Sequence, residues 1–140
     1  YSEAKATLCG MGRTTQRREI GKAGLECSAY QITDVITAMK MASCVEIQEL
    51  RVDGGPTRNR YLMQFQSDIA GIPVQVPQAE ELSGIGAAYA AGLAIGLYQA
   101  DHVFGRMQRQ TFTPQMIKKD RENRYAGWKH AVSSVLSDSK

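Results

Sequence analysis

The sequence predicts an α/β domain, its sheet partly parallel and covered by helices, and three observations carry that expectation. Extended and helical patterns follow one another as strand, helix, strand, helix, extended segment, helix. The helical stretches place apolar residues at steps of three and four, the mark of one buried face. Two turns that follow strands, Gly10-Met11-Gly12 and Gly54-Gly55-Pro56, are glycine-rich, and ligands of such sheets sit beyond the carboxyl ends of the strands. With 140 residues and 43% hydrophobic content, the chain is one globular domain with a core of its own.

Lys5 to Gly10 (KATLCG) reads as a short strand leading to the first turn, and Thr14 or Thr15 can cap the helix that follows. That helix is expected to run to about Met41, with Leu25, Ala29, Ile32, Ile36 and Met39 as its buried stripe. Gly21 and Gly24 lie inside it, each costing about 1 kcal/mol of helix propensity relative to Ala, which suggests close approach by another backbone. Val45 to Val52 form the next strand. After Gly54-Gly55-Pro56 comes a helix with Leu62, Phe65 and Ile69 on one face, ending near Gly71.

Pro73-Val74-Gln75-Val76-Pro77 is bracketed by prolines and suits an edge strand or a connector. Leu82 to Tyr98 carries no charge, but its 17 residues, crowded with Gly and Ala, fall short of a membrane span and read as a buried helix. Gly92 and Gly96 would let that helix lie against a neighbour at short range. Asp101 to Phe112 loosens into a polar connection. Thr113-Pro114 then places a capping Thr before a Pro at the first helical position, and a charged helix follows to about Leu136. Met116, Ile117, Tyr125, Trp128, Val132 and Val135 give it one docking face.

Several chemistries are set aside by composition and spacing. Cys9, Cys27 and Cys44 are odd in number and lack a C-x-x-C pair, which argues against a disulfide framework or a zinc site and fits a reducing, cytoplasmic setting. The net charge of +3 is modest and its basic residues are dispersed without interleaved aromatics, so nucleic acid is not an expected partner. No G-x-S-x-G occurs, and His102 and His130 read as surface residues. Neither H-E-x-x-H nor an acidic calcium loop is present, and Glu80-Glu81 reads as charge complementing a helix N-terminus. Gly10-x-Gly12 lacks the third glycine of a dinucleotide fingerprint and the G-K-[ST] of a P-loop.

The stretch Leu50 to Ile69 holds the candidate site. A strand ending in two glycines before a helix lets a phosphate or ribose approach the backbone, because no Cβ blocks it and helix amides point outward. The same pair also serves as a plain tight turn. Asp53 is the one carboxylate at a strand end, readable as a structural cap or as a catalytic group.

Three blocks of residues resemble the C-terminal domain of the FGGY carbohydrate kinases. The first is Ala6-Thr7-Leu8-Cys9-Gly10-Met11, followed after seven residues by Glu19-Ile20-Gly21-Lys22-Ala23-Gly24-Leu25-Glu26. The second is Asp53-Gly54-Gly55-Pro56-Thr57-Arg58-Asn59 with Leu62-Met63-Gln64-Phe65-Gln66-Ser67-Asp68-Ile69. The third is Glu81-Leu82-Ser83-Gly84-Ile85-Gly86-Ala87-Ala88-Tyr89-Ala90-Ala91-Gly92. Gly24 departs from the family signature, which prefers a somewhat larger residue there.

The resemblance implies an actin-like ATPase, ribonuclease-H-like domain, a mixed sheet with flanking helices, spanning residues 1–140 and incomplete at its N-terminal edge. It implies one of two domains that close on ATP and Mg²⁺ to phosphorylate a sugar or polyol hydroxyl. Gly54, Gly55 and Asn59 map onto the adenosine side of the nucleotide pocket, with Asn59, one turn into the helix, bonding the base. The family's catalytic base, its Mg²⁺-associated carboxylates and most sugar contacts belong to the N-terminal domain, so this chain alone is expected to be inactive. Expected partners are ATP or ADP and the sugar or polyol, with no nucleic acid and no membrane; a homo-oligomer is left open. The alternatives are an actin-like nucleotide-binding module without kinase activity and a packing domain whose glycines are only turns.

Overall fold

A computed structural model describes residues 5–78, 82–99 and 108–137. Its organising element is helix α2, Arg60–Ala70, which lies on a three-stranded sheet and is flanked by α1, Arg17–Ser43, and α4, Lys118–Ser137. Local sequence explains α2 well. Asn59 caps its start by accepting the Leu62 amide on Oδ1 at 3.1 Å. Gly71, at φ 70°, ends it in the left-handed conformation that favours glycine. Leu62, Phe65 and Ile69 are buried as the apolar spacing predicts, together with Met63, Gln66 and Ser67.

The sheet is mixed, in the order β1-β2-β3, with β1 Leu50–Arg51, β2 Val74–Pro77 and β3 Arg109–Phe112. Leu50 pairs with Val74 in parallel, and Val74 pairs with Phe112 antiparallel. The proline-bracketed segment is therefore the middle strand of the described sheet, not an edge or a connector. Its prolines sit where no donor is required: the Pro73 carbonyl accepts the Leu50 amide at 2.9 Å, and beyond Pro77 the Gln78 amide continues the ladder to the Gln108 carbonyl at 3.0 Å. Strand β3 arises inside the expected polar connection. Of Arg109, Gln110, Thr111 and Phe112 only Phe112 is buried, so pairing with β2, not apolar alternation, makes it a strand.

Three other expectations are corrected. Residues 5–10 are exposed and form no strand, because a short extended pattern is stable only beside a pairing neighbour. The strand expected over Val45–Val52 shrinks to Leu50–Arg51. Helix α4 begins at Lys118, not after Thr113-Pro114, since Asp68 of α2 takes up the amides of Gln115 at 2.6 Å and Met116 at 3.1 Å and holds that stretch irregular.

Helix α1 is capped at Gln16, whose amide is accepted by the Glu19 carboxylate at 2.9 Å, whereas Thr15 closes the preceding turn by accepting the Gly12 amide at 2.9 Å. Its buried face is Ala29, Thr33 and Ile36; Leu25, Ile32 and Met39 of the expected stripe are exposed. A Cβ at Gly21 or Gly24 would meet no atom within 4 Å among the described residues, so the close approach expected there is not seen. Helix α3, Leu82–Ala94, is apolar yet largely exposed over its described side chains, contrary to the buried helix expected. Gly92 is needed for a local reason: the Tyr98 ring folds back onto it, 2.3 Å from where a Cβ would stand. Glu80, Glu81 and His102 lie outside the described residues, and His130 is exposed as expected.

The core joins α1, α2, the sheet and α4. Ala29 of α1, Leu62, Met63, Phe65 and Ile69 of α2, Val74 and Val76 of β2 and Phe112 of β3 form one cluster, with Tyr125 of α4 packed against it. Its buried polar groups are satisfied. The Ser67 hydroxyl reaches the carbonyls of Ile72 at 2.9 Å and Phe112 at 3.0 Å and shares its one proton between them. The Gln66 side-chain amide reaches the Ala29 carbonyl at 3.3 Å.

Candidate functional site

Between the end of β1 and the cap of α2, the chain turns through Gly54 and a short 3-10 helix. Gly54 has φ 91° and ψ 177°, a backbone open essentially to glycine alone. Its carbonyl accepts both the Thr57 amide at 3.1 Å and the Thr57 hydroxyl at 2.7 Å, which locks the turn. Gly55 opens a short 3-10 helix, Gly55–Arg58, with a Cβ direction that meets no atom within 4 Å. Thus Gly54 is required by the backbone, whereas Gly55 leaves space outside the protein open.

Asn59 ends that 3-10 turn and starts α2. It is the cap itself, not a residue one turn into the helix as expected. Its Oδ1 is engaged by the Leu62 amide and its carbonyl by the Met63 amide, both at 3.1 Å, so the group with hydrogen-bonding capacity to spare is the Nδ2 donor. Asp53 is exposed beside the turn and makes no hydrogen bond among the described residues.

Next to the cap, the Tyr61 hydroxyl donates to the Glu26 carboxylate of α1. Lys22 stands 3.6 Å from the same carboxylate and 5.7 Å from the centre of the Tyr61 ring. Burial, and then the Glu26 carboxylate, push the Tyr61 hydroxyl well above the ordinary phenol range, so it remains a donor. Sequence reading missed this pair, because the two residues are 35 positions apart and no spacing rule connects them. Thr57 was also missed, although a Thr after Gly-Gly-Pro signals a hydroxyl able to close a turn.

The two glycine turns are not brought into one crevice by any hydrogen bond among the described residues. Gly10, at φ 75°, leads into a turn closed on itself between Gly12 and Thr15. A groove of about 720 Å³ lies elsewhere, where residues 6–9 cross α1 and α4 beside Tyr30, Arg124 and Trp128. Cys9, Cys27 and Cys44 are free thiols. Among the described residues no group of three or more His, Cys, Asp or Glu side chains converges as a metal site would require, and no helix is long and apolar enough to cross a membrane.

Residues 1–95 match the model of the FGGY family of carbohydrate kinases, C-terminal domain. Over 136 residues the chain is 44% identical to a glycerol kinase of Staphylococcus haemolyticus, covering 96% of this chain and 27% of the relative. A glycerol kinase of Geobacillus sp. is 42% identical over 139 residues, covering 97% and 28%. The chain therefore spans little more than a quarter of the length of these relatives. The crystal structure of Plasmodium falciparum glycerol kinase with ADP superposes with a TM-score of 0.85 at 33% identity, over 96% of this chain and 28% of that one. A xylulose kinase from Rhodospirillum rubrum shares the fold, with a TM-score of 0.76 at 24% identity over 94% of this chain and 27% of that one.

Proposed function

The chain belongs to the FGGY family of carbohydrate kinases, and on that premise we propose that it is the nucleotide-side domain of an enzyme that transfers the γ-phosphate of ATP to a carbohydrate hydroxyl. Glycerol is the acceptor we favour, because the relatives quoted above are glycerol kinases. In this reading residues 1–140 form an incomplete C-terminal domain of a cytoplasmic protein, and the catalytic base and sugar contacts lie on the rest of it. Mg²⁺ would shield the transferring phosphates, and among the described residues no three His, Cys, Asp or Glu side chains converge to hold it.

One observation carries the assignment. Gly54 holds a backbone essentially reserved for glycine, and it thereby presents Gly55 with nothing in front of its Cβ position, at the start of a helix capped by Asn59. Gly55 admits ribose and α-phosphate close to the main chain, and the Asn59 Nδ2 donates to an acceptor nitrogen of the base. Support for nucleotide use comes from the ADP named with the Plasmodium relative. The rate enhancement in such transfers comes from positioning and charge stabilisation on both sides of a cleft, so this chain by itself binds but does not turn over.

The test is Gly55→Val in the full-length protein. Because the site is open, the substitution disturbs ligand space and not the fold. KM for ATP is expected to rise about tenfold or more, with KM for the acceptor within about twofold. Equal effects on both constants would sink the assignment.

A further inference from the structure

We propose that Tyr61 and Glu26 are positioning residues for the nucleotide: their hydrogen bond sets the angle of the first turn of α2, and with it the Asn59 cap and the Gly54-Gly55 turn. The inference rests on the reading given above for those three residues and adds two more to it.

Helix α2 is fastened differently along its length. From Leu62 to Ile69 it is held by the core and by the buried contact of Gln66 with the Ala29 carbonyl. Its N-terminal end has no such burial: Gly54 and Gly55 are exposed, and Asn59 is half-buried. Tyr61, the second residue of the helix, supplies the lateral tether there. Tyr61 as a residue is 44% exposed, yet its hydroxyl reaches a Glu26 side chain that is only 13% exposed and lies on α1. Lys22, one turn before Glu26, balances that carboxylate from 3.6 Å. Tyr61 also stacks on Phe65, with ring centres 6.0 Å apart and planes 14° from parallel, which joins the tether to the core.

The tether acts on the ligand through geometry. Asn59 offers a single donor group, and a hydrogen bond weakens steeply when its angle tilts, so a small rotation of the first turn of α2 removes much of the contact. Loss of the Tyr61 hydroxyl or the Glu26 carboxylate should then weaken nucleotide binding without touching the acceptor.

In the full-length protein, Tyr61→Phe and Glu26→Ala are expected to raise KM for ATP about three- to tenfold while KM for the acceptor and kcat stay within about twofold. Glu26→Gln keeps an acceptor oxygen for the tyrosine and is expected to stay within about twofold of the parent for ATP. A lowered thermal midpoint with unchanged KM for ATP in Tyr61→Phe, alongside a raised KM in Gly55→Val, overturns the positioning role and leaves the nucleotide assignment standing. No change in Gly55→Val either overturns both. Should Tyr61→Phe not fold, equal KM values for ATP in Glu26→Gln and Glu26→Ala overturn the proposal.

Discussion

The indole Nε1 of Trp128 donates to Oδ2 of Asp34 at 2.7 Å, joining α4 to α1 across 94 positions of sequence. Oδ1 of the same carboxylate accepts the Tyr125 hydroxyl at 2.5 Å, so one acid holds two aromatic residues spaced three apart on one face of α4. Tyr30 of α1 stacks on Trp128 with ring centres 5.4 Å apart and extends the seam to Phe65 of α2, 5.6 Å away edge-on.

Asp34→Ala removes both acceptors and takes the carboxylate away from two half-buried donors. Hydrogen bonds to a charged group are worth about 1.5–3 kcal/mol each, and losses on one shared carboxylate are not additive, so a destabilisation of about 2–3 kcal/mol is expected. Asp34→Asn keeps one acceptor and should lose about half as much. Urea unfolding of the protein followed by Trp128 fluorescence checks the order, and equal losses would contradict it.

Gly54 and Gly55 are expected to respond oppositely to a methyl group. Alanine at 54 must adopt φ 91° with ψ 177°, which costs about 1–3 kcal/mol, whereas alanine at 55 meets open space and should change stability by no more than about 0.5 kcal/mol. Denaturation midpoints of the two variants decide this. A Gly54→Ala protein as stable as the parent would mean that the turn relaxes freely.

Alkaline pH should loosen the helix seams. Burial raises the hydroxyls of Tyr30, Tyr61 and Tyr125, with Glu26 adding to the first two and Asp34 to the last. A folded-state value above the unfolded one means that the folded protein keeps protons the unfolded chain has lost. The stabilisation is therefore whole below the ordinary tyrosine value of about 10 and fades as pH rises from there through the folded values. Unfolding midpoints measured between about pH 8 and 12 should hold steady and then fall, less steeply in Tyr125→Phe. A parent-like slope in that variant would remove Tyr125 from the account.

The backbone turn at Gly54 was legible in the sequence. Gly54 follows a strand and precedes a helix, and only a residue without a Cβ takes the backbone found there. Asn59 was not legible as a cap, because reading it one turn into the helix overlooked the 3-10 turn that Pro56 and Thr57 close first. The apolar set of α4 was nearly right: Tyr125, Trp128, Val132 and Val135 are half-buried and Ile117 is exposed. Its start was misread because Thr113-Pro114 is a strong local signal that Asp68, 47 positions before Gln115, overrides.

Helix α2 and the family blocks were settled within short stretches of sequence, since a helix closes its hydrogen bonds four residues apart and shows its buried face as a local period. The central place of β2, the existence of β3, the exposed face of α3 and the Tyr61–Glu26 and Asp34–Trp128 pairs were decided only by the folded chain. A strand's hydrogen bonds belong to its neighbour, and a side chain's partner belongs to whatever element packs beside it. Neither neighbour is written at a fixed distance along the sequence, so Val74 opposite Phe112 and Tyr61 against Glu26 emerge only when α2 has gathered the other elements around itself.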